Sequence, residues 1–244
     1  MDFLDFIFLI FLILGPYCVY QGFNHWQVQR AIKKIPPTNL TSIAPGLVKI
    51  SGTAQKKEIL TSPFSQKKCV YYTYKIEELH HLGTGGKTNW VLLRSGQEAQ
   101  SFSVSDGIRS IDLDIAGAQM DIPETYQTQT RWHSVSQNIL PFLPKLNLVL
   151  EDLKETNLEV KLTEQAIEDH APLFVLGMAE KNPATGEWLI HKDPSTPYII
   201  STKSEKDYLD SISKFLLLQI YGGVGITLAG IAYAMYRVKT LIEL

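Results

Sequence analysis

Residues Phe215–Tyr236 contain no charged side chain, and this constrains the chain more than any other feature. A helix of that length reaches about 33 Å, enough to cross the roughly 30 Å hydrocarbon core of a bilayer with some tilt. A second apolar stretch, Phe3–Tyr20, lies at the opposite end. It is interrupted by Asp5, and Gly15-Pro16 is expected to kink or loosen it. A cleaved secretory signal does not fit, because no Lys or Arg precedes the apolar core and no small-x-small site follows it. Lipoprotein processing at Cys18 does not fit either, since Pro16 and Tyr17 are not small residues. The expectation is a two-pass protein whose spans run from Phe3 to Tyr20 and from Phe215 to Tyr236, with a folded domain between them.

Arg30, Lys33 and Lys34 follow the first span, and Lys203, Lys206 and Lys214 precede the second. No Lys or Arg precedes the first span, and Arg237 and Lys239 follow the second. The positive-inside tendency therefore places the domain in the cytoplasm and both termini on the opposite side. Trp26 and Phe23 near one boundary, and Tyr233 and Tyr236 near the other, suit the water–lipid interface. Gly222, Gly223, Gly225 and Gly230, with Ala229 and Ala234, give the second span a small face. Such a face suits packing against another helix, including that of a second copy in a homo-oligomer.

Between the spans remain about 190 residues, enough for one good-sized domain or two small ones. The net charge of −2 points to no nucleic-acid partner. The two cysteines, Cys18 and Cys69, are far apart in the chain and supply neither a disulfide framework nor a Cys-rich zinc site.

Asn24–Ile35 is compatible with a juxtamembrane helix that stops at Pro36-Pro37. From there the pattern is mostly strand, and the expected class is α+β, mainly β. Leu47–Ile50 runs into Ser51-Gly52-Thr53-Ala54, where the glycine suggests a bulge or close backbone approach. Cys69–Ile76 and Trp90–Leu93 are dense in β-branched and aromatic residues, with Gly83–Gly86 as a flexible hairpin tip between them. Ser101–Val104 and Ile108–Leu113 flank Asp106-Gly107, a pair suited to a type I′ turn. Ala118–Pro144 reads as an irregular loop or insertion. Strands are expected again at Asn157–Leu162, Pro172–Ala179, Trp188–His191 and Tyr198–Ile200, and a helix at Glu205–Lys214 running into the second span. Gly46–Ala54 and Pro172–Ala179 both read as an apolar strand ending in Gly-x-Ala. That echo reflects either coincidence or two related β-subdomains. The resulting layout is an N-terminal span (1–22), a juxtamembrane helix and proline linker (23–40), a β-rich domain (41–204), a second juxtamembrane and membrane helix (205–236), and a tail (237–244).

No chemical motif stands out. Glu77, Glu78, His80 and His81 share one short segment, but on a strand only alternate residues share a face, so at most two would converge. Gly83-x-Gly-Gly is too short for a phosphate loop, and there is no Gly-x-Ser-x-Gly or His-Glu-x-x-His. No catalytic, cofactor-binding or metal-ligating residue is assigned.

Several stretches together carry a family resemblance. They are Gly46–Ala54 with Gly52 and Ala54, Leu60–Ser65 with Pro63, Cys69–Tyr72, Trp90, Phe102–Gly107, and Ala116-Gly117-Ala118. The C-terminal part continues with Leu162–Ile167 around Glu164, Pro172–Gly177, and Pro197–Ser204 around Ser201. In order and spacing the middle domain resembles the GIDE, or "beside a membrane", domain of mitochondrial-type membrane-anchored ubiquitin ligases and their shorter relatives. The residues that carry the match are Gly52, Ala54, Pro63, Cys69, Trp90, Glu164, Gly177 and Ser201. In the ligase members a RING finger follows the second span and holds zinc through Cys and His. Here no Cys or His follows His191, so a short member without the RING is expected, with neither zinc nor ligase activity implied. The reading that follows is a double-anchored membrane protein whose domain binds a membrane or membrane-proximal protein, or scaffolds a complex at the bilayer. The alternatives are a ligase component working with a separate RING subunit, and a metal-dependent hydrolase using His80, His81 and Glu77 or Glu78.

Overall fold

The computed structural model describes residues 3–82, 87–146, 148, 158–183 and 185–242. They form two compact units, one of Met1–Pro36 with Glu205–Leu244, the other of Pro37–Ser204. The class is α+β, mainly β.

The first unit is a pair of helices, α1 (Phe3–Lys34) and α2 (Glu205–Ile242), each long and apolar enough to cross a membrane. They fit a two-pass integral membrane protein. The two pack against each other through small residues. A Cβ on Gly223 would meet the Gly15 carbonyl oxygen at 2.8 Å, and one on Gly15 would meet the Gly223 carbonyl oxygen at 2.9 Å. Further along, Phe8 stacks on Tyr233 with ring centroids 3.9 Å apart. Part of the small face on α2 is thus used within the chain, by Gly223 and Gly230. A Cβ at Gly222 or Gly225 would meet nothing within 4 Å. Two expectations change here. α1 is helical without interruption through Gly15-Pro16, and the separate juxtamembrane helix expected over Asn24–Ile35 is its continuation. The good helix formers Gln27, Gln29, Arg30, Ala31, Lys33 and Lys34 carry it forward until the proline pair.

Among the described residues, the second unit contains twelve strands in two curved sheets, together with short 3₁₀ turns. The first is a barrel formed by β1 (Gly46–Lys56), β5 (Phe102–Ser105), β6 (Ser110–Leu113), β10 (Pro172–Lys181) and β11 (Trp188–His191), closed because β1 pairs with both β5 and β10. β12 (Ile199–Ser201) continues from β10, and β7 (Gln119–Asp121) from β12. The second sheet is a half-barrel. β3 (Lys68–Leu82) carries β2 (Leu60–Thr61) and β4 (Lys87–Ala99) along one edge and β9 (Glu159–Glu168) along the other, with β8 (Glu124–Arg131) beyond β9.

Alternation dictates the cores. Val48, Ile50, Phe102, Val104, Ile111, Leu113, Val175 and Ile190 fill the barrel interior. Ile76, Val160 and Leu162 on the half-barrel pack against Trp132, Ile139 and Leu143.

The two Gly-x-Ala strands are direct antiparallel partners in one barrel, with Val48 opposite Gly177 and Gly52 opposite Leu173. They are therefore not equivalent strands of two subdomains. The glycines serve proximity: a Cβ on Gly52 would lie 2.3 Å from the Ser105 carbonyl oxygen, and one on Gly177 would meet the Tyr198 ring at 2.6 Å. The stretch Ala118–Pro144, expected to be irregular, contains β7 and β8. β8 lies at the end of its sheet and alternates between half-buried and exposed positions, so its Thr and Tyr residues form strand without an apolar period. The Asp106–Arg109 turn has positive φ at Gly107 alone (90°), whereas type I′ needs it at both central residues. The Asp106 carboxylate accepts from the Ile108 and Arg109 amides and closes the turn from its side chain. The tip Gly83–Gly86 lies outside the described residues; β3 and β4 stay paired as far as Leu82 and Lys87.

Candidate partner-binding groove

Glu164 on β9 is fully buried and holds the loop between β2 and β3. Its carboxylate accepts from the Phe64 amide at 2.7 Å, the Ser65 amide at 3.2 Å and the Ser65 hydroxyl at 2.6 Å. Ser62 accepts from the Lys67 amide, and Gln66 takes a left-handed φ of 59° while donating its side-chain amide to the Pro63 carbonyl. A non-glycine residue in that region costs free energy, and the grip of Glu164 on the loop supplies the compensation.

The strand leaving this loop carries Cys69, Tyr72 and Tyr74. Cys69 is buried, and its thiol is pushed up to about 12, first by burial and then by the charges of Glu164, Glu98 and Glu168. It is protonated at neutral pH and is not poised as a nucleophile. Tyr72 donates its hydroxyl to Glu98 on β4. Burial, followed by that hydrogen bond, raises the Tyr72 phenol. Tyr74 lies across Gly96, its direct partner on β4, where a Cβ would meet the ring hydroxyl at 2.6 Å.

Tyr72, Tyr74 and Glu98 line a groove of about 650 Å³. Ile59, Leu60 and Thr61 form one wall, Tyr72, Tyr74 and Gly96–Glu98 another, and Phe142 and Lys145 the last. The volume falls in the range of ligand sites. The Lys145 ammonium lies 5.2 Å from the Phe142 ring centroid. Ile59 is 49% exposed at the rim, a large apolar side chain left open to water. The groove combines aromatic surface, a carboxylate and an ammonium, the ingredients of a polar-rimmed protein-binding surface.

Of the residues singled out in the sequence, Pro63, Cys69 and Glu164 cluster beside this groove. Gly52, Ala54 and Gly177 belong to the barrel wall. Ser201 is buried where β12 meets β7, donates to the Asp121 carboxylate at 3.0 Å and accepts from the Lys203 amide at 3.1 Å. Trp90 lies on β4 opposite Leu79. Phe3 and Tyr20 fall in α1, Phe215 and Tyr236 in α2. Glu78 is buried and accepts from the Trp132 indole and from His80 at 3.1 Å, while Glu77 faces Lys161 at 3.7 Å. Of the four residues weighed as a metal set, Glu78 and His80 thus meet each other, while Glu77 is turned to Lys161. Among the described residues no three His, Cys, Asp or Glu side chains gather as metal ligands. Glu98, Tyr74, Phe142 and Lys145 were missed. The Tyr72-x-Tyr74 alternation on a strand could have marked the groove's floor, but Phe142 and Lys145 lie in short 3₁₀ turns with no period to read.

Against known proteins, no curated protein and no solved structure matches the chain. The model of the GIDE family, described as an E3 ubiquitin ligase, matches residues 71–233, more than half of the sequence. The chain belongs to the GIDE family. The match takes in β3 with Tyr72 and Tyr74, Glu98, Glu164 and most of α2, so the groove lies largely within the GIDE segment, with only its β2 wall upstream of it.

Proposed function

We propose that this GIDE-family chain is a double-anchored membrane protein whose β domain binds a partner protein through the groove at β2, β3 and β4, and so scaffolds a complex at the membrane surface. The observation that carries this reading is the groove itself. It is open, aromatic and mounted on a half-barrel braced by Glu164, and one Glu98 oxygen is oriented by Tyr72 while the other has no protein partner among the described residues. Anchoring at both ends raises the domain's effective concentration toward membrane partners. The charge distribution favours a cytoplasmic domain with both termini opposite. The open positions at Gly222 and Gly225 leave room on α2 for a second copy.

A photo-crosslinking amino acid placed at Thr61 or Gln97 in the full-length membrane protein tests this. The expected result is a defined crosslinked protein that disappears with Glu98→Lys and is absent when the probe is at Gln129 on β8. Equal labelling from all three positions would overturn it. The family's description favours a second reading, a ubiquitin-ligase component working with a separate RING subunit. Ubiquitin ladders on the captured partner, dependent on a RING protein in the same complex, would support that reading.

A further inference from the structure

The outward face of α1 changes character just beyond its apolar span. Phe23, Trp26, Arg30 and Lys33-Lys34 fall at successive turns on one stripe, the spacing that aligns side chains along a helix. Positions 23, 26, 27, 30, 33 and 34 are all exposed, whereas Gly22 and Ile32 are buried. The Phe23 and Trp26 rings stack with centroids 5.4 Å apart, and the Arg30 guanidinium lies 5.1 Å from the centroid of the Trp26 ring. After Asp5, α1 contains no acidic residue.

Direction makes this arrangement specific. Helical side chains lean toward the helix N-terminus, which for α1 is the apolar, membrane-spanning end. The stacking of Arg30 on Trp26 follows that lean and brings its charge about one turn, roughly 5 Å, closer to the bilayer than its own backbone. If the hydrocarbon ends near Phe23, Trp26 lies about 5 Å above it and the Arg30 guanidinium at a similar height, the level of lipid phosphates. Trp suits that boundary, and a planar guanidinium pairs bidentately with phosphate.

We propose that this stripe binds the headgroup phosphate of anionic phospholipids, with Trp26 setting the depth, Arg30 on the phosphate, and Lys33 and Lys34 supplying further attraction. This rests on α1 spanning the membrane, and the occupant is the bilayer because the stripe is continuous with the apolar span and its own charges are all positive. Lys33 also lies beside Glu205 and Asp210 of α2, so Arg30 and Lys34 carry most of the attraction.

The test uses the full-length protein reconstituted in equimolar phosphatidylglycerol and phosphatidylcholine, extracted gently, with retained lipid measured by mass spectrometry. Near an anionic surface each cation contributes about a fivefold preference. Wild type is therefore expected to retain phosphatidylglycerol at least about fivefold over phosphatidylcholine. Arg30→Gln/Lys33→Gln/Lys34→Gln should approach equal retention, while Lys203→Gln/Lys206→Gln should keep the wild-type ratio. Equal retention by wild type, or an equal loss in both variants, overturns the site. Resistance to carbonate extraction is measured alongside. A protein that stays in the membrane without selectivity defeats only the headgroup site, whereas one extracted by carbonate defeats the spanning reading as well.

Discussion

Glu164 shows how a single side chain can position a site without touching a ligand. It has no exposed surface and satisfies two backbone amides and a hydroxyl of the Phe64-Ser65 loop. Glu164→Ala would take the acceptor from the buried Phe64 amide and the half-buried Ser65 amide, while the Ser65 hydroxyl keeps Ser62, at a cost of about 3 kcal/mol. Glu164→Gln keeps one acceptor oxygen and should cost about half as much. Denaturant melting of the full-length protein in detergent, followed by tryptophan fluorescence, reads both. A loss under 1 kcal/mol for the alanine variant would show that the loop holds itself.

Cys69 gives a second residue-scale outcome. Its folded pKa of about 12 lies above the ordinary value of 9.0. The folded state therefore keeps a proton that the unfolded chain releases, and stability is complete below about pH 9 and lost as pH rises toward 12. The phenols of Tyr72 and Tyr198 are shifted the same way, but from an ordinary value of 10.0. Between pH 9 and 10 the decline should thus come mainly from Cys69, at up to about 1.4 kcal/mol per unit. Cys69→Ala should flatten that part of the profile, even if its baseline stability is lower.

At the level of elements, the barrel depends on close approach between strands. Because a Cβ on Gly52 would meet a backbone carbonyl rather than a flexible side chain, Gly52→Ala should destabilise by about 1–3 kcal/mol. Gly225→Ala on α2, with open space around it and the better helix propensity of Ala, should be neutral or stabilising by up to about 1 kcal/mol. Thermal unfolding of the two variants side by side checks the contrast, and equal losses would count against it. Gly52 was legible beforehand as a place of close approach, and so were the two long helices, β3, β10 and the Phe102–Leu113 hairpin. Each of these announces itself through apolar periodicity or runs of β-branched and aromatic residues. β8 was hidden because a strand at the end of a sheet can be polar on both faces. The groove was hidden for a different reason: β2, β4 and the 3₁₀ turns meet there from residues 59 to 145, and pairing across that separation leaves no local mark. Barrel closure by β1 and β10 was visible only as an unexplained echo of two Gly-x-Ala strands, which turned out to be neighbours.

For the whole molecule, orientation decides which partners the groove can meet. The cationic residues on the domain side, Arg30, Lys33, Lys34, Lys203, Lys206 and Lys214, favour a cytoplasmic domain. Cys69 is a poor reporter of this, being about 1% exposed and protonated. Ile108 is far better. It is 80% exposed at the tip of the β5–β6 turn, and the turn is held by the Asp106 carboxylate and by Gly107 rather than by the Ile108 side chain. A chain with Cys18→Ser, Cys69→Ala and Ile108→Cys should fold as the Cys69→Ala variant does and present one reactive thiol. With the protein expressed in the cell's bounding membrane, a membrane-impermeant maleimide should leave that thiol unlabelled in intact cells, and permeabilisation should expose it fully. Labelling before permeabilisation would place the domain outside and overturn the cytoplasmic orientation. The groove would then have to be matched to extracytoplasmic partners, and a RING subunit working in the cytoplasm could not reach it.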